Sequence, residues 1–376
     1  MKIITRYLLR DIFHYFWIFL VMFVVLLLIY ELYDMRGEFL EKDPSLTDII
    51  LYLVFVIPSQ LSEMLPVIAL LSSIFAYGLL AKNREILAMV AAGVSFRFLA
   101  FPALVFGLLV TAAAYGFNET VVPYTESRAR YLEKVTIGQK DPRRFTQRDD
   151  VLVRGAGNSI YFIERYYSDR AEMRFVTLWS ISDTGDRPTE RIDAVHAVRV
   201  EPENQQGKPE VSLWELHGAE RRTFDENGRL LRYERIPGAY RIPLEANLDL
   251  YLSQSKKPEE MTIAELQEYY EFLEAKEGQD MLIFGMTIQR KLSFPLACLL
   301  MALLGFGVVA DVHARRFARG VFAGILTAVA FYVFSAFMTN LGEGGVLMPY
   351  AAAWLPIFVF ALVVYLFYTR LNAIRG

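Results

Sequence analysis

The residues with the most chemical potential in this chain are charges set where charges are costly. Arg290 and Lys291 interrupt a long apolar run, and Glu63 is the one charge inside Ile49–Ala81. An ionised group at membrane depth tends to face a polar interior, a partner or the interface. Two readings of Arg290 and Lys291 stay open: they meet the anionic headgroup of a ligand in a cavity, or they snorkel to the lipid headgroups. Arg128 and Arg130 follow another apolar run and either serve the same anion or are solvated helix-surface charges. Glu63, close to Pro58 and Ser59, is either a local cap or a polar partner inside a bundle.

Bond-making chemistry is hard to find. No Gly-x-x-x-x-Gly-Lys-Ser/Thr loop is present, so the chain does not hold ATP in the P-loop manner. Gly-x-Ser-x-Gly and His-Glu-x-x-His are also missing. The lone Cys298 lies in an apolar run and cannot pair within the chain. The histidines, His14, His196, His217 and His313, show no metal-ligand spacing. A net charge of −3 argues against a nucleic-acid partner, which would be met by a basic face.

A further signal is the segment Lys82-Asn-Arg84-Glu85-Ile-Leu-Ala-Met-Val-Ala-Ala-Gly93-Val-Ser95. Lys82–Ala92 has helix-forming composition, Gly93 suits a left-handed stop, and Ser95 can cap a following helix. Ile86, Leu87, Met89 and Val90 form an apolar patch beside Arg84 and Glu85. Such a helix either rests on headgroups or docks into the groove of a partner protein. The small side chains Ala88, Ala91 and Ala92 permit close approach and favour the second reading.

The elements that would position these residues follow from hydropathy. The chain is 54% hydrophobic yet 22% charged, and the two populations are separate. A helix needs about 20 apolar residues to cross the bilayer core. Candidate spans are Ile12–Tyr30, Met64–Ala81 with Ile49–Ser62 as a kinked or tilted outer part, and Phe98–Asn118. After the insert come Leu292–Ala310, which starts earlier near Met281, then Val321–Asn340 and Val346–Thr369. The first run is too long for a cleavable leader, and no A-x-A-like site follows it before Asp34. Lys2, Arg6 and Arg10, then Lys82, Arg84 and Arg97, then Arg315, Arg316 and Arg319, then Arg370 and Arg375 all fall on one side if there are six spans. By the positive-inside rule that side is cytoplasmic, both termini lie there, and the insert between the third and fourth spans is exported.

The insert changes to period two. Ser159–Tyr166, Arg174–Ile181, Ala194–Val200 and Val211–Leu216 read as strands. Gly155–Asn158, Asp183–Asp186 and Asp225–Gly228 read as turns, the last with the hairpin dipeptide Asn227-Gly228. A sandwich or jelly roll is expected, with its apolar face serving either as ordinary core or as a surface for acyl chains. Glu259–Gly278 reads as an acidic connector helix, with a capping box in Thr262 and Glu265. The expected architecture is a six-helix transmembrane bundle, three plus three, with an inserted all-β jelly-roll-like domain. Residues 1–120 hold the first three spans with the cytoplasmic helix 82–95. Residues 121–280 hold the exported domain and connector, and residues 281–376 the last three spans.

This pattern resembles the LptF/LptG (YjgP/YjgQ) family of lipopolysaccharide export permeases over essentially the whole chain. Its most specific part is Glu85 followed by Gly93 and Ser95, and Arg6-Tyr-Leu-Leu-Arg10 is also typical. Tyr161-Phe-Ile-Glu-Arg165 and the length of the tail after Pro349 lean towards the LptG branch. The resemblance implies a bacterial inner-membrane subunit of an ABC transporter that is not itself an enzyme and carries no cofactor. Its expected partners are a paralogous permease subunit (LptF-like), an ATPase dimer that uses the ATP (LptB-like), periplasmic bridge proteins (LptC/LptA-like) and lipopolysaccharide. It makes Arg84, Glu85, Ile86, Met89, Val90 and Gly93 the ATPase-coupling set, with Glu85 as the acidic coupling residue. It makes Arg128 and Arg130 contacts for lipid A phosphates, to which the residue-level reading adds Arg290 and Lys291. A family position often basic near the end of the first span is Glu31 here, with Arg36 as the substitute. The lateral gate is expected at the first and fifth spans.

Two other functional classes compete. A membrane enzyme acting on an envelope lipid would turn over substrate as the purified chain, and the lack of a catalytic cluster counts against it. A sensor reading a ligand through the exported domain would carry a cytoplasmic output domain, whereas the cytoplasmic segments expected here are short.

Overall fold

The computed structural model describes residues 2–138, 147–154, 159–167, 170–182, 187–200, 211–225, 228–245, 257–274, 281–310 and 317–373. The chain divides into two compact units, one formed by Met1–Gly138, Pro258–Gln267 and Gln279–Gly376, the other by Gln139–Lys257 and Glu268–Gly278.

The first unit is helical. Helix α1 (Lys2–Asp34) has 33 residues, about 50 Å at 1.5 Å per residue, enough to cross a bilayer. Leu8, Ile12, Phe16 and Phe19 recur at helical spacing and form its buried stripe. The short α2 (Arg36–Lys42) leads to α3 (Leu46–Lys82), whose first turn is capped by the Ser45 hydroxyl accepting from the Asp48 amide at 3.2 Å. Pro58 and Pro66 lie inside α3, one continuous 37-residue helix that holds both the inner part and the outer part expected of the second span. It is the most buried of the long apolar helices. Helix α4 (Glu85–Ala91) joins it to α5 (Phe96–Thr120), which continues through α6 (Val122–Tyr131) into a π-helical turn at Leu132–Ile137.

After the second unit come a 3₁₀ turn (Pro258–Glu260) and α7 (Ile263–Glu274). The capping box forms: the Thr262 amide donates to Glu265 Oε2 at 2.8 Å, and the Glu265 amide donates to Thr262 Oγ1 at 3.2 Å. Then follow α8 (Met281–Ser293) and α9 (Leu296–Ala310), bent by 44° at a short break. Pro295 at the break has no amide hydrogen to continue the ladder. Carbonyls near such a break need donors in an apolar setting. The Tyr115 hydroxyl of α5 donates to Leu292 O, and the Thr111 hydroxyl donates to Pro295 O at 3.2 Å beside the Cys298 amide at 3.0 Å. Helices α10 (Phe317–Glu343) and α11 (Pro349–Ala373) complete the unit. Among the described residues five helices are long and apolar enough to span a membrane, or six if the bent pair α8/α9 is one span.

Close crossings hold the bundle. A Cβ on Gly305 of α9 would sit 2.6 Å from Ser73 Cβ and 2.7 Å from Leu70 O of α3, so only glycine permits this backbone approach. Phe75 of α3 meets Tyr15 and Phe19 of α1, while its neighbour Ile74 lies against Gly324 of α10. Consecutive helical residues point about 100° apart, so α1 and α10 stand on adjacent faces of α3. Both carry long exposed apolar stripes, including Trp17, Val21 and Val25 on α1 and Phe322, Val329 and Val333 on α10.

The second unit is an antiparallel sheet of eight described strands. Strands β1 (Gln147–Arg154), β2 (Ser159–Tyr167), β3 (Glu172–Ile181) and β4 (Pro188–Val200) form a meander. Strands β5 (Val211–His217), β6 (Glu220–Phe224), β7 (Leu230–Arg235) and β8 (Ala239–Glu245) nest, with β5 pairing β8 outside the β6/β7 hairpin. Jelly-roll-like nesting is thus confined to the second half. Strand β4 forks: Glu190–Asp193 pair with β6 and His196–Val200 with β5. The alternation of buried residues breaks at the same level. Ile163 and Tyr166, Val176 and Met173, and Ala194 and Ala197 are all buried, an odd step in each strand. Phe175 at that step has φ +52° and is exposed, as is Val195. The sheet folds there, so both halves bury one core around the fully enclosed Trp214. The expected turns at Gly155–Asn158 and Asp183–Asp186, and Asn227, lie outside the described residues. Gly228 has φ +73°, and the Arg229 amide donates to Asp225 Oδ1 at 2.7 Å.

Candidate functional site

Helix α4 is short and held at both ends. Asn83 ends α3 and Arg84 takes a left-handed conformation, φ +63°, which turns the chain into α4. At the other end the Val94 amide donates to Met89 O and the Gly93 amide to Val90 O, both at 3.0 Å, with Gly93 at φ +85°. This is a Schellman stop, and a side chain at Gly93 would be strained there. Ser95 Oγ accepts from the Phe98 amide at 3.4 Å and starts α5.

The apolar patch read from the sequence is divided between two faces. Ile86 is buried, and Met89 and Val90 pack against the bundle core, so these three anchor α4 rather than present it. Leu87, 66% exposed, is the apolar residue left outside, flanked by exposed Ala88 and Ala91, with exposed Arg84 beside them. Glu85 Oε2 accepts a 3.0 Å hydrogen bond from the Tyr7 hydroxyl of α1, and Asn83 Nδ2 donates to Glu85 Oε1 at 3.4 Å. The carboxylate is therefore oriented by two neighbours and tied to α1. Tyr7 is the residue that sequence reasoning missed; its separation of 78 positions from Glu85 left no local signal.

The basic residues are not gathered into one site. Arg36 is exposed and stacks over Tyr33 at 3.9 Å, and Arg128 is exposed over Tyr124 at 5.7 Å. Arg130 is turned inward to an ion pair with the buried Glu260. Lys291 is partly buried and donates to Met261 O. Those last two tie the 3₁₀ turn to the helices and are committed to structure. Arg290 pairs with Glu63 at 2.8 Å, both half exposed, and lies 5.6 Å over the Phe294 ring. Glu63 is thus a partner across the bundle, and its carbonyl also accepts from the Tyr332 hydroxyl of α10 at 2.5 Å.

Glu31, a mismatch at sequence level, has a structural role. It is buried, accepts from the Tyr52 hydroxyl, and accepts from Gln60 Nε2 at 2.7 Å, joining α1 to α3. Among the described residues no group of three or more His, Cys, Asp or Glu is placed to hold a metal ion.

Known proteins match this chain nearly end to end. Residues 6–370 match the family described as lipopolysaccharide export system permease LptF/LptG. The lipopolysaccharide export system permease protein LptG of Escherichia coli strain K12 is 20% identical over 315 residues, covering 83% of each chain. Its counterpart from Escherichia coli O6:H1 strain CFT073 matches with the same identity and coverage. With its long apolar helices and a match of this extent, the chain is a multi-pass inner-membrane protein and belongs to the LptF/LptG family of lipopolysaccharide export permeases.

Proposed function

We propose that the chain is one half of the membrane part of an ABC transporter that extracts lipopolysaccharide from the inner membrane and passes it to a periplasmic bridge. The observation that carries this reading is a family match over residues 6–370 joined to a short helix between the second and third long apolar helices, α4, that leaves Leu87, Ala88 and Ala91 uncovered. An exposed leucine between alanines is the shape that enters a groove on a partner, here a cytoplasmic ATPase dimer. The basic clusters at the ends of the long helices support a cytoplasmic side for α4 and both termini and a periplasmic side for the β unit. A paralogous permease then faces the exposed stripes of α1 and α10, which are the expected lateral gate.

Energetics explains why a separate ATPase and an apolar relay are both needed. Removing an acyl chain from the bilayer costs about 0.8 kcal/mol per CH₂. A lipid with several acyl chains would demand tens of kcal/mol if fully exposed to water, on the same scale. The inner face of the β sheet is the proposed relay, and the exposed Arg36 and Arg128, with the half-exposed Arg290 that pairs with Glu63, are the cations proposed to meet phosphates.

Affinity purification of the tagged chain, with subunits and bound lipid identified by mass spectrometry, tests the assembly. A second permease, an ATPase and lipopolysaccharide should co-purify; recovery of the chain alone, with no transfer of lipid, would refute it. Leu87→Asp should weaken ATPase association about thirtyfold or more, about 2 kcal/mol, without lowering the yield of folded permease. Glu85→Lys should abolish transport with the fold intact, and unchanged ATPase association in that variant would remove Glu85 from the coupling set.

A further inference from the structure

Two apolar clefts open on the sides of the helical unit. One, of about 390 Å³, lies among α1, α3 and α5 and is walled by Phe13, Trp17, Leu61, Leu109 and Phe117 among others, with no charged residue on its walls. The other, of about 380 Å³, lies among α5, α9 and α11 and is equally apolar along Phe101, Leu104, Ala361 and Val364, but Arg97 stands at one end. Arg97 is the second residue of α5, exposed, with no ion pair among the described residues. The start of α5 adds the positive end of a 25-residue helix. Two tyrosines line the same cleft: Tyr365 is exposed, and the Tyr368 hydroxyl is buried without a hydrogen-bond partner among the described residues.

We propose that the cleft among α5, α9 and α11 is a binding site for an anionic glycerophospholipid of the cytoplasmic leaflet, with one acyl chain in the groove and the phosphate on Arg97. The leaflet rests on the orientation given above; the groove and its charge do not. A cleft of a few hundred Å³ is the size of a small-ligand pocket. A basic group at the mouth of a groove between transmembrane helices is a known arrangement for anionic lipid headgroups. The Tyr368 ring adds to the groove wall beside Tyr365, which extends the apolar surface that an acyl chain would cover. The site differs from the proposed transport path in place: it is bounded by α5 and α11, whereas the expected gate helices are α1 and α10. Arg97 also lies two residues past Ser95 and four past Gly93, so a bound headgroup would steady the turn that ends α4.

Photo-crosslinking tests this on the full-length chain, with whatever subunits co-purify, in nanodiscs of phosphatidylcholine containing either photoreactive phosphatidylglycerol or photoreactive phosphatidylcholine. Labelled peptides from Phe101–Leu104 and Ala361–Val364 should be enriched with phosphatidylglycerol. The Arg97→Gln variant should lower that labelling about fivefold, the factor for one basic residue at an anionic surface. Labelling at Trp17 and Leu109, in the uncharged cleft, should be indifferent to headgroup and to that variant. Leu104→Trp, which fills the groove but keeps Arg97, should abolish labelling at Ala361–Val364. Equal labelling by both lipids, labelling unchanged in Arg97→Gln, or no labelling of either peptide overturns the proposal. None of these readouts requires lipopolysaccharide or ATPase activity, so their failure would leave the exporter reading standing.

Discussion

At the scale of single residues, this chain places its charges by what each can reach. Arg130, Lys291 and Glu31 are absorbed by the fold, while Arg36, Arg128 and Arg97 keep exposed cationic ends. A list of basic residues near span ends could not separate these classes, because the deciding partners, Glu260, Met261 and Tyr52, are distant in sequence or on another helix. The Glu31 cluster makes a quantitative test. Tyr52→Phe removes a donor from a buried carboxylate, which should destabilise the protein by about 1–3 kcal/mol. Replacing both members, Glu31→Leu with Tyr52→Phe, should cost less than the sum of the two single changes, since neither member of that pair is then left unsatisfied, although Gln60 loses its acceptor. Thermal unfolding of the two single variants and the double variant in detergent gives the coupling; additive losses would show that Tyr52 does not serve Glu31. Arg290→Gln should behave differently, with a stability change on the order of 1 kcal/mol or less because its pair with Glu63 is half exposed.

At the scale of elements, the long helices were legible because twenty apolar residues without charge have few other solutions. Their internal details were less so. Two prolines in α3 suggested a kinked or tilted outer part, and the helix runs unbroken from Leu46 to Lys82, whereas the single Pro295 coincides with a 44° bend. At that bend the neighbours matter: the Thr111 and Tyr115 hydroxyls of α5 donate to Pro295 O and Leu292 O, a relation no local pattern encodes. The β unit was half legible. Strands β2 to β5 announced themselves by alternation, but β6, with Glu220, Arg221 and Arg222, is a strand because those side chains reach β4: Arg221 pairs with Glu190 and Arg222 with Asp193. In α4 the motif was visible and its facing was not, since only the packed bundle shows that Ile86, Met89 and Val90 turn inward. Helix packing yields its own prediction. Gly305→Val must push Ser73 and the α3 backbone aside and should destabilise by about 1–3 kcal/mol, while Gly116→Ala, with nothing within 4 Å, should be neutral or slightly stabilising. Equal melting temperatures for the two variants would mean that α9 and α3 do not approach as closely as described.

At the scale of the molecule, the chain joins two units stabilised by different physics, and pH should separate them. The helical unit rests on apolar packing, which acid leaves largely intact. The β unit carries a lattice of carboxylate–guanidinium contacts across β3, β4 and β6. Glu172 is its most telling member. Arg174, which donates to it at 2.8 Å, holds its carboxyl below the usual glutamate range against an opposing desolvation, with further help from His196 at 3.1 Å and from Arg170. A carboxylate whose pKa is lower folded than unfolded adds stability above its unfolded value, about 4.3, and that stability is lost as pH falls through the folded value. Hydrogen exchange on the intact protein should therefore show β3 and its partner β4 losing protection below about pH 4.3, before α3 and α9 do. Glu172→Gln should remove part of that pH dependence by taking away the group that titrates, and it should weaken protection at neutral pH, where the wild-type carboxylate is fully paired. Acid-induced exchange spreading to α3 and β3 together would instead mean that the two units unfold as one, and the division of the chain would carry no energetic meaning. Separate loss would fit a relay that deforms to take a lipid while the membrane part holds its helices fixed.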